Sequence, residues 1–162
     1  MAMKIGVLSD THSDSLERLP KKLVDDLSGM DLVIHAGDFT GKSLVDGLRR
    51  LGPFRGVYGN IDGPEVRREL PAIDIVEAGG FRIGVNHPSE GGPPSSLEER
   101  IKAKFTGVQV IIHGHSHQTK NIVKNGVLWF NPGSATGTFP AREITYGVLH
   151  IDSDVRSELV KL

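Results

Sequence analysis

Side chains able to hold a divalent cation recur directly after apolar runs in this 162-residue chain. After Lys4–Leu8 come Ser9, Asp10, Thr11 and His12, and after Leu32–Ala36 come Gly37 and Asp38. After Val57–Tyr58 come Gly59, Asn60, Ile61 and Asp62, and after Ile83–Val85 come Asn86 and His87. Val110–Ile112 is followed by His113, Gly114, His115, Ser116 and His117. Carboxylate and amide oxygens with imidazole nitrogens form a donor set suited to transition-metal and related divalent ions. In Asp10-x-His12 and His115-x-His117, alternate residues of an extended chain would point the same way, about 6–7 Å apart. Glycines 37, 59 and 114 permit tight turns and close backbone approach.

Singly, each of these residues has a structural explanation. Asp10 could cap a following helix. Asp38 after Gly37, and Asn60 after Gly59, are ordinary turn residues. A lone His87 could be a structural histidine. Three histidines between 113 and 117 are harder to dismiss, and the joint occurrence at successive strand ends points to one assembled site. In α/β sheets the carboxyl ends of strands are where such sites gather. His35 and His150 lack such company and read as packing or surface residues.

The elements that must position these groups follow from residue periodicity. Strands are predicted at Lys4–Leu8, Asp31–Ala36, Phe54–Tyr58, Ile73–Glu77, Phe81–Val85 and Val108–His113. Helices are predicted at Ser15–Leu27, Lys42–Leu51, Pro64–Leu70 and Ser96–Phe105. Pro20 should split the first helix or mark its real start. Ser95 and Glu98 have the spacing of a capping box for the last. Further strands are predicted at Lys120–Lys124, Gly126–Phe130, Thr145–Ile151 and Val155–Leu162, with Asn125-Gly126 as a hairpin turn. The pattern is α/β with an antiparallel-rich C-terminal half. Residues 1–162 read as a single domain, and Pro88–Ser96, rich in Gly, Pro and Ser, as a loop.

Bulk properties narrow the function classes. With no cysteine, disulfides, zinc fingers and iron–sulfur sites are excluded, so any metal is held by oxygen and imidazole. A net charge of −1 and no basic run argue against a long nucleic-acid track or an anionic membrane surface. No apolar stretch approaches the roughly 20 residues of a membrane span, and no cleavable signal pattern precedes Leu8, so a cytoplasmic protein is expected.

The ordered set Asp-x-His, Gly-Asp, Gly-Asn-x-Asp, a single His and Gly-His-x-His resembles the calcineurin-like metallophosphoesterase superfamily. Asn131-Pro132-Gly133-Ser134 and the short length resemble its small bacterial and archaeal phosphodiesterase branch. The resemblance runs from about Lys4 to about Arg142. It implies two mixed β-sheets packed as a sandwich and flanked by helices. It implies two divalent ions, with Asp10, His12 and His117 on one, Asn60, His87 and His115 on the other, and Asp38 bridging them. Mn²⁺ is expected, with Ni²⁺, Fe²⁺, Co²⁺ or Zn²⁺ suited to the same donors. The activity implied is phosphodiester hydrolysis, by in-line attack of a hydroxide shared between the ions. Asp38 and Asn60 are the expected catalytic residues, and Asp62 the residue that orients a ligand or the Asn60 turn.

Three positions set this chain against the wider superfamily. Many relatives carry Gly-Asn-His, in which the His lies near the leaving group. Ile61 stands there and cannot donate a proton, as is common in the small branch, which favours diesters with better leaving groups over monoesters. His87 is followed by Pro88, where relatives often have Gly-His, and the loop from Pro88 to Ser95 is expected to border the pocket. Arg142, beyond Asn131–Ser134, is a candidate phosphate contact. The expected substrate is a small phosphodiester, and a symmetric homodimer is allowed. Alternative readings are a phosphomonoesterase, a nuclease, or a non-catalytic scaffold such as the eukaryotic retromer subunit that resembles this fold.

Overall fold

Runs rich in Val, Ile and Leu between turn-forming residues become strands, and the polar-patterned segments between them become short helices. A computed structural model describes residues 2–162; Met1, part of the expected domain span 1–162, lies outside the described residues. The strands are β1 (Met3–Leu8), β2 (Leu32–His35), β3 (Phe54–Gly56), β4 (Ile73–Ala78), β5 (Phe81–Asn86), β6 (Val110–His113), β7 (Lys120–Lys124), β8 (Val127–Asn131), β9 (Thr145–Ile151) and β10 (Val155–Lys161). The helices are α1 (Lys21–Leu27), α2 (Lys42–Leu51), α3 (Pro64–Glu69) and α4 (Leu97–Lys102).

They form two five-stranded mixed sheets, ordered β10-β9-β1-β2-β3 and β4-β5-β6-β8-β7. Within the first, β1, β2 and β3 are parallel, with Ile5 opposite Leu32 and Val33 opposite Phe54. Within the second, β5, β6 and β8 are parallel, with Ile83 opposite Val110 and Val110 opposite Leu128. Alternate residues of the two sheets meet in a buried apolar layer: Ile5, Val7 and Ile34 from one, Val85, Ile112 and Phe130 from the other. Burying each such side chain is worth about 1.5–3 kcal/mol. Leu23, Leu44 and Leu48 seal the outer face of the first sheet, and Ile101 and Phe105 that of the second. Register therefore fixes which strand-end residues face the same way, since a one-residue slip would turn this layer outward.

Several boundaries differ from those predicted. Ser15–Leu27 is a short 3₁₀ turn, Leu16–Arg18, followed by α1. Pro20, extended at ψ 134°, divides them because it has no N–H and its ring cannot continue a helix. The Ser95–Glu98 capping box does not form. Ser96 is the N-cap of α4, without a side-chain cap bond, and the Glu98 carboxylate instead pairs with Lys120 and Lys124 at 2.9 and 2.6 Å. Asn125-Gly126 makes the expected hairpin, with φ of 51° and 77° between paired Lys124 and Val127. No helix among the described residues is long and apolar enough to cross a membrane.

Candidate metal centre

The loops leaving β1, β2, β3, β5 and β6 converge, and they carry all seven residues read as ligands. Asp10 follows β1 and is fully buried. Its Oδ2 accepts from Ser9 Oγ (2.8 Å) and from the His115 N–H (3.0 Å), while Oδ1 lies 3.3 Å from His117 Nε2. Asp38 Oδ2 lies 3.2 Å from His87 Nε2 and 3.5 Å from His12 Nε2. Asn60 Oδ1 lies 3.1 Å from His87 Nε2 and 3.2 Å from His115 Nδ1. Donor atoms fall into two groups, Asp10, His12, Asp38 and His117, and Asp38, His87 and His115, each within 4.8 Å of one another. Asp38 is common to both.

The local backbone is not the extended one expected of Asp10-x-His12 and His115-x-His117. Asp10, His12, Asp38, His115 and His117 have φ of 53°, 46°, 65°, 83° and 62°, in the left-handed region that residues other than glycine rarely enter. The chain leaves each strand in a tight coil, and neighbouring loops hold it there: the Asp10 N–H donates to Gly37 O and the His12 N–H to Asp38 O. Such conformations cost about 1–3 kcal/mol each, persist where surroundings over-determine them, and cluster at functional sites. A Cβ on Gly59 would collide with the Asp38 carboxylate, and one on Gly114 with Ser9 Oγ. These glycines are there for space.

Hydrogen bonds set which imidazole nitrogen faces inward. His87 Nδ1–H donates to Ala36 O and His117 Nδ1–H to Thr138 O, both at 2.9 Å. Each ring, when neutral, then presents its Nε2 lone pair to the cluster, the arrangement that second partners impose on metal-ligating histidines. Pro88 does not disturb His87, which is buried. Asp10 Oδ1 and His12 Nε2 are buried without a hydrogen-bond partner among the described residues. Buried polar atoms are normally satisfied, so these two fit a site that takes a cation.

The electrostatics agree. Burial would raise the Asp10 carboxyl, but the His117 imidazole 3.3 Å from Oδ1 and the charge of His87 hold it below the usual range. Asp38 is likewise held low against burial by His87. His117 is raised by the Asp10 carboxylate 3.3 Å away, and His87 is raised by Asp38 and Asp10 although burial opposes this. His115 is lowered by burial and by His87.

Asp62 holds the loops without entering the cluster. Its Oδ2 accepts the N–H groups of Asp38 (2.9 Å) and Gly59 (2.8 Å), and its Oδ1 those of Phe39 and Thr40 (2.8 and 3.2 Å). His35 is buried under the same loops, accepting the Gly37 N–H at Nδ1 and facing Thr11 Oγ1 with Nε2, both at 3.0 Å. It stacks on Phe39 at 3.7 Å, so it packs and also supports. His150 lies near the surface beside Glu158. His113 is buried against Trp129 and belongs to neither donor group. The 131–138 segment is a clamp: Ser134 Oγ donates to Asp10 O, Thr136 Oγ1 to Thr11 O, and Asn131 Nδ2 to Ser116 Oγ. Ser9, Thr136 and Thr138 were missed by residue reasoning, since nothing in their spacing marks them; Asn131–Ser134 carried the signal for the rest. Ser89 and Glu90 of the expected border loop line a cavity of about 440 Å³ beside His87. Ile61 is 40% exposed at the lip of the centre.

A family model for the calcineurin-like phosphoesterase superfamily domain matches residues 3–154. A probable metallophosphoesterase of Methanocaldococcus jannaschii is 40% identical over 83% of this chain and 69% of its own length. A phosphodiesterase of the same organism is 29% identical over 98% of this chain and 99% of its own. A Vps29 crystal structure from Entamoeba histolytica superposes with a TM-score of 0.77 at 24% identity, covering 99% of each chain, and shows the shared fold. The extent of the family match and the identity to the metallophosphoesterase establish that this chain belongs to the calcineurin-like phosphoesterase superfamily, a family of metal-dependent hydrolases.

Proposed function

We propose that the protein is a phosphodiesterase dependent on two divalent metal ions, acting on a small phosphodiester. The observation that carries this is the pair of donor groups sharing Asp38. Asp10, His12 and His117 would hold one ion, Asn60, His87 and His115 the other, with Asp38 between them. Two ions so placed would supply an acidified water for in-line displacement at phosphorus and offset charge on the phosphoryl oxygens. Oxygen and imidazole donors without thiolate suit Mn²⁺, Ni²⁺, Fe²⁺, Co²⁺ or Zn²⁺, and Mn²⁺ is the ion to test first.

The chain's own residues do the positioning. Ala36 O and Thr138 O aim His87 and His117 through their Nδ1–H groups. Asp62, through four backbone N–H groups, fixes the Asp38 and Asn60 loops against each other. Ile61 donates its backbone N–H to Asp38 Oδ1 at 3.1 Å and offers no side-chain proton to a leaving group. That favours diesters with good leaving groups, in line with the phosphodiesterase relative.

Purified protein supplied with Mn²⁺ should hydrolyse bis(p-nitrophenyl) phosphate faster than p-nitrophenyl phosphate, and Asp38→Ala should abolish turnover. Absence of hydrolysis with every divalent metal, together with well under one ion bound per chain, would favour a non-catalytic scaffold.

A further inference from the structure

A cavity of about 450 Å³ opens beside the metal centre, lined by His117, Gln118, Thr119, Arg142, Glu143 and Thr145. His117 is the residue the two share: its Nε2 faces Asp10 Oδ1 while its ring borders the cavity. The volume lies within the range of small-molecule pockets and exceeds what a single phosphate needs.

The lining is chemically uneven. Glu143 is neutralised by Lys161 at 3.0 Å. The Arg142 guanidinium makes no ion pair or hydrogen bond among the described residues, and neither do the Gln118 side-chain amide and the Thr119 hydroxyl, the Gln118 backbone N–H being taken by Ser116 Oγ. The cavity beside His87 differs, because its Lys104 is already taken by Asn86 (3.1 Å) and Glu90 (2.6 Å). Three unused polar groups, one a guanidinium suited to bidentate contact with phosphate, thus converge next to one edge of the centre.

We infer that this cavity is a second anion subsite, in which Arg142, Gln118 and Thr119 bind a phosphate carried on the arm of the diester remote from the scissile phosphorus. The identity of the bound molecule rests on the phosphodiesterase reading; the affinity of the cavity for a phosphate does not. Arg142 is a specificity residue here, acting on an arm that does not react.

Two measurements test it. The first compares p-nitrophenyl nucleoside 5′-phosphate with and without a 3′-phosphate, using metal-loaded protein. The doubly phosphorylated ester should have the lower KM, by about tenfold for one charge-assisted contact. Arg142→Gln should bring the kcat/KM ratio of the two esters toward one, mainly through KM, and Arg142→Lys should recover part of it. An equal loss on both esters would place Arg142 on the scissile phosphate and overturn the subsite. The second titrates inorganic phosphate into metal-free protein and follows the Arg142 Nε–Hε and Gln118 side-chain amide resonances by NMR. Shifts of both resonances in the wild type, with the Gln118 shift lost in Arg142→Gln, support the subsite even if no ester is hydrolysed, an outcome that would sink the phosphodiesterase reading alone. Hydrolysis without discrimination between the esters, and no shift at Arg142, would overturn the subsite and leave the phosphodiesterase standing.

Discussion

Asp38 Oδ2 stands 3.2 Å from His87 Nε2, joining the loop after β2 in one sheet to the end of β5 in the other. The contact is where two sets of parallel strands deliver their carboxyl ends to one place. It also makes Asp38 the residue on which both donor groups depend. Asp38→Asn keeps the volume but halves the oxygen donors and removes the charge. Metal content measured by mass spectrometry should fall from about two ions per chain to one or fewer. Turnover should fall by more than the roughly 10–100-fold typical of losing an outer partner. Wild-type metal content in this variant would refute a shared ligand.

Asp62 tests the shell that holds the centre. Its four acceptor contacts are all to backbone N–H groups, and burial raises its carboxyl although those bonds pull it down. In Asp62→Asn, one oxygen becomes an NH₂ facing donors it cannot accept from. Leaving such groups unsatisfied costs about 1–3 kcal/mol, so chemical denaturation should show a loss of that size. Metal affinity by titration calorimetry should weaken about 10–100-fold. Unchanged affinity would mean that the Asp38 loop holds its shape unaided.

His35 supplies a pH dependence of stability. Burial pushes its imidazole down to about 3 from 6.5, with the Asp10 charge opposing. Below pH 6.5 the unfolded chain takes up a proton that the folded chain refuses. The contribution of His35 is therefore full above pH 6.5 and declines as pH falls toward 3. At pH 5 the decline is about 2 kcal/mol. His87 and His117 are raised and act in the opposite direction, so the readout is a difference. In metal-free protein, the stability of the wild type minus that of His35→Gln should be constant above pH 7 and shrink by about that amount by pH 5. A pH-independent difference would show that His35 is readily protonated in place.

Much of this was legible in the residues. Asp10, Asp38, Asn60, His87 and His115 follow β-branched runs whose burial fixes strand register, so their placement at one end of the sandwich follows from the apolar pattern. The backbone at the site was not legible. Alternation predicts extended Asp10-x-His12, whereas Gly37 O and Asp38 O capture the two N–H groups and turn both residues left-handed. That outcome depends on a loop more than twenty residues away, which no local rule contains. Glu98 failed for the same reason: Lys120 and Lys124, brought alongside by β7, outcompete a cap at the start of α4. Ser134 and Thr136 reach Asp10 and Thr11 across more than 120 residues of sequence.

Gly59 offers a test of spacing that changes no polar group. Its φ is not left-handed, so alanine is forbidden by space alone, with a Cβ meeting the Asp38 carboxylate and lying 2.6 Å from the Asp38 nitrogen. Backbone on that side cannot give way without disturbing the Asp62 bonds. Gly59→Ala should therefore destabilise by about 1–3 kcal/mol, the usual range for overpacking. It should also weaken metal binding, as read in the same calorimetric titration. Gly63→Ala is the control, since nothing lies within 4 Å of a Cβ there. Equal behaviour of the two variants would dispose of the close approach.

Ile61 bears most directly on the proposed choice of ester. It sits one residue past Asn60, 40% exposed, with its N–H bound to Asp38 Oδ1 at 3.1 Å. Any residue except proline can keep that backbone bond, so Ile61→His should fold and bind metal as the wild type does. The imidazole would add a proton donor at the lip of the centre. General acid catalysis contributes about 10²–10⁴-fold when well placed, and less for an unoptimised group. Aryl esters, whose leaving groups depart as stable anions, should gain little. Alkyl diesters and monoesters should gain at least about tenfold in kcat, with a new fall in rate as pH rises past the imidazole pKa. An equal gain on aryl and alkyl esters, or none on either, would show that proton delivery does not limit this centre and that Ile61 does not decide the proposed preference for diesters.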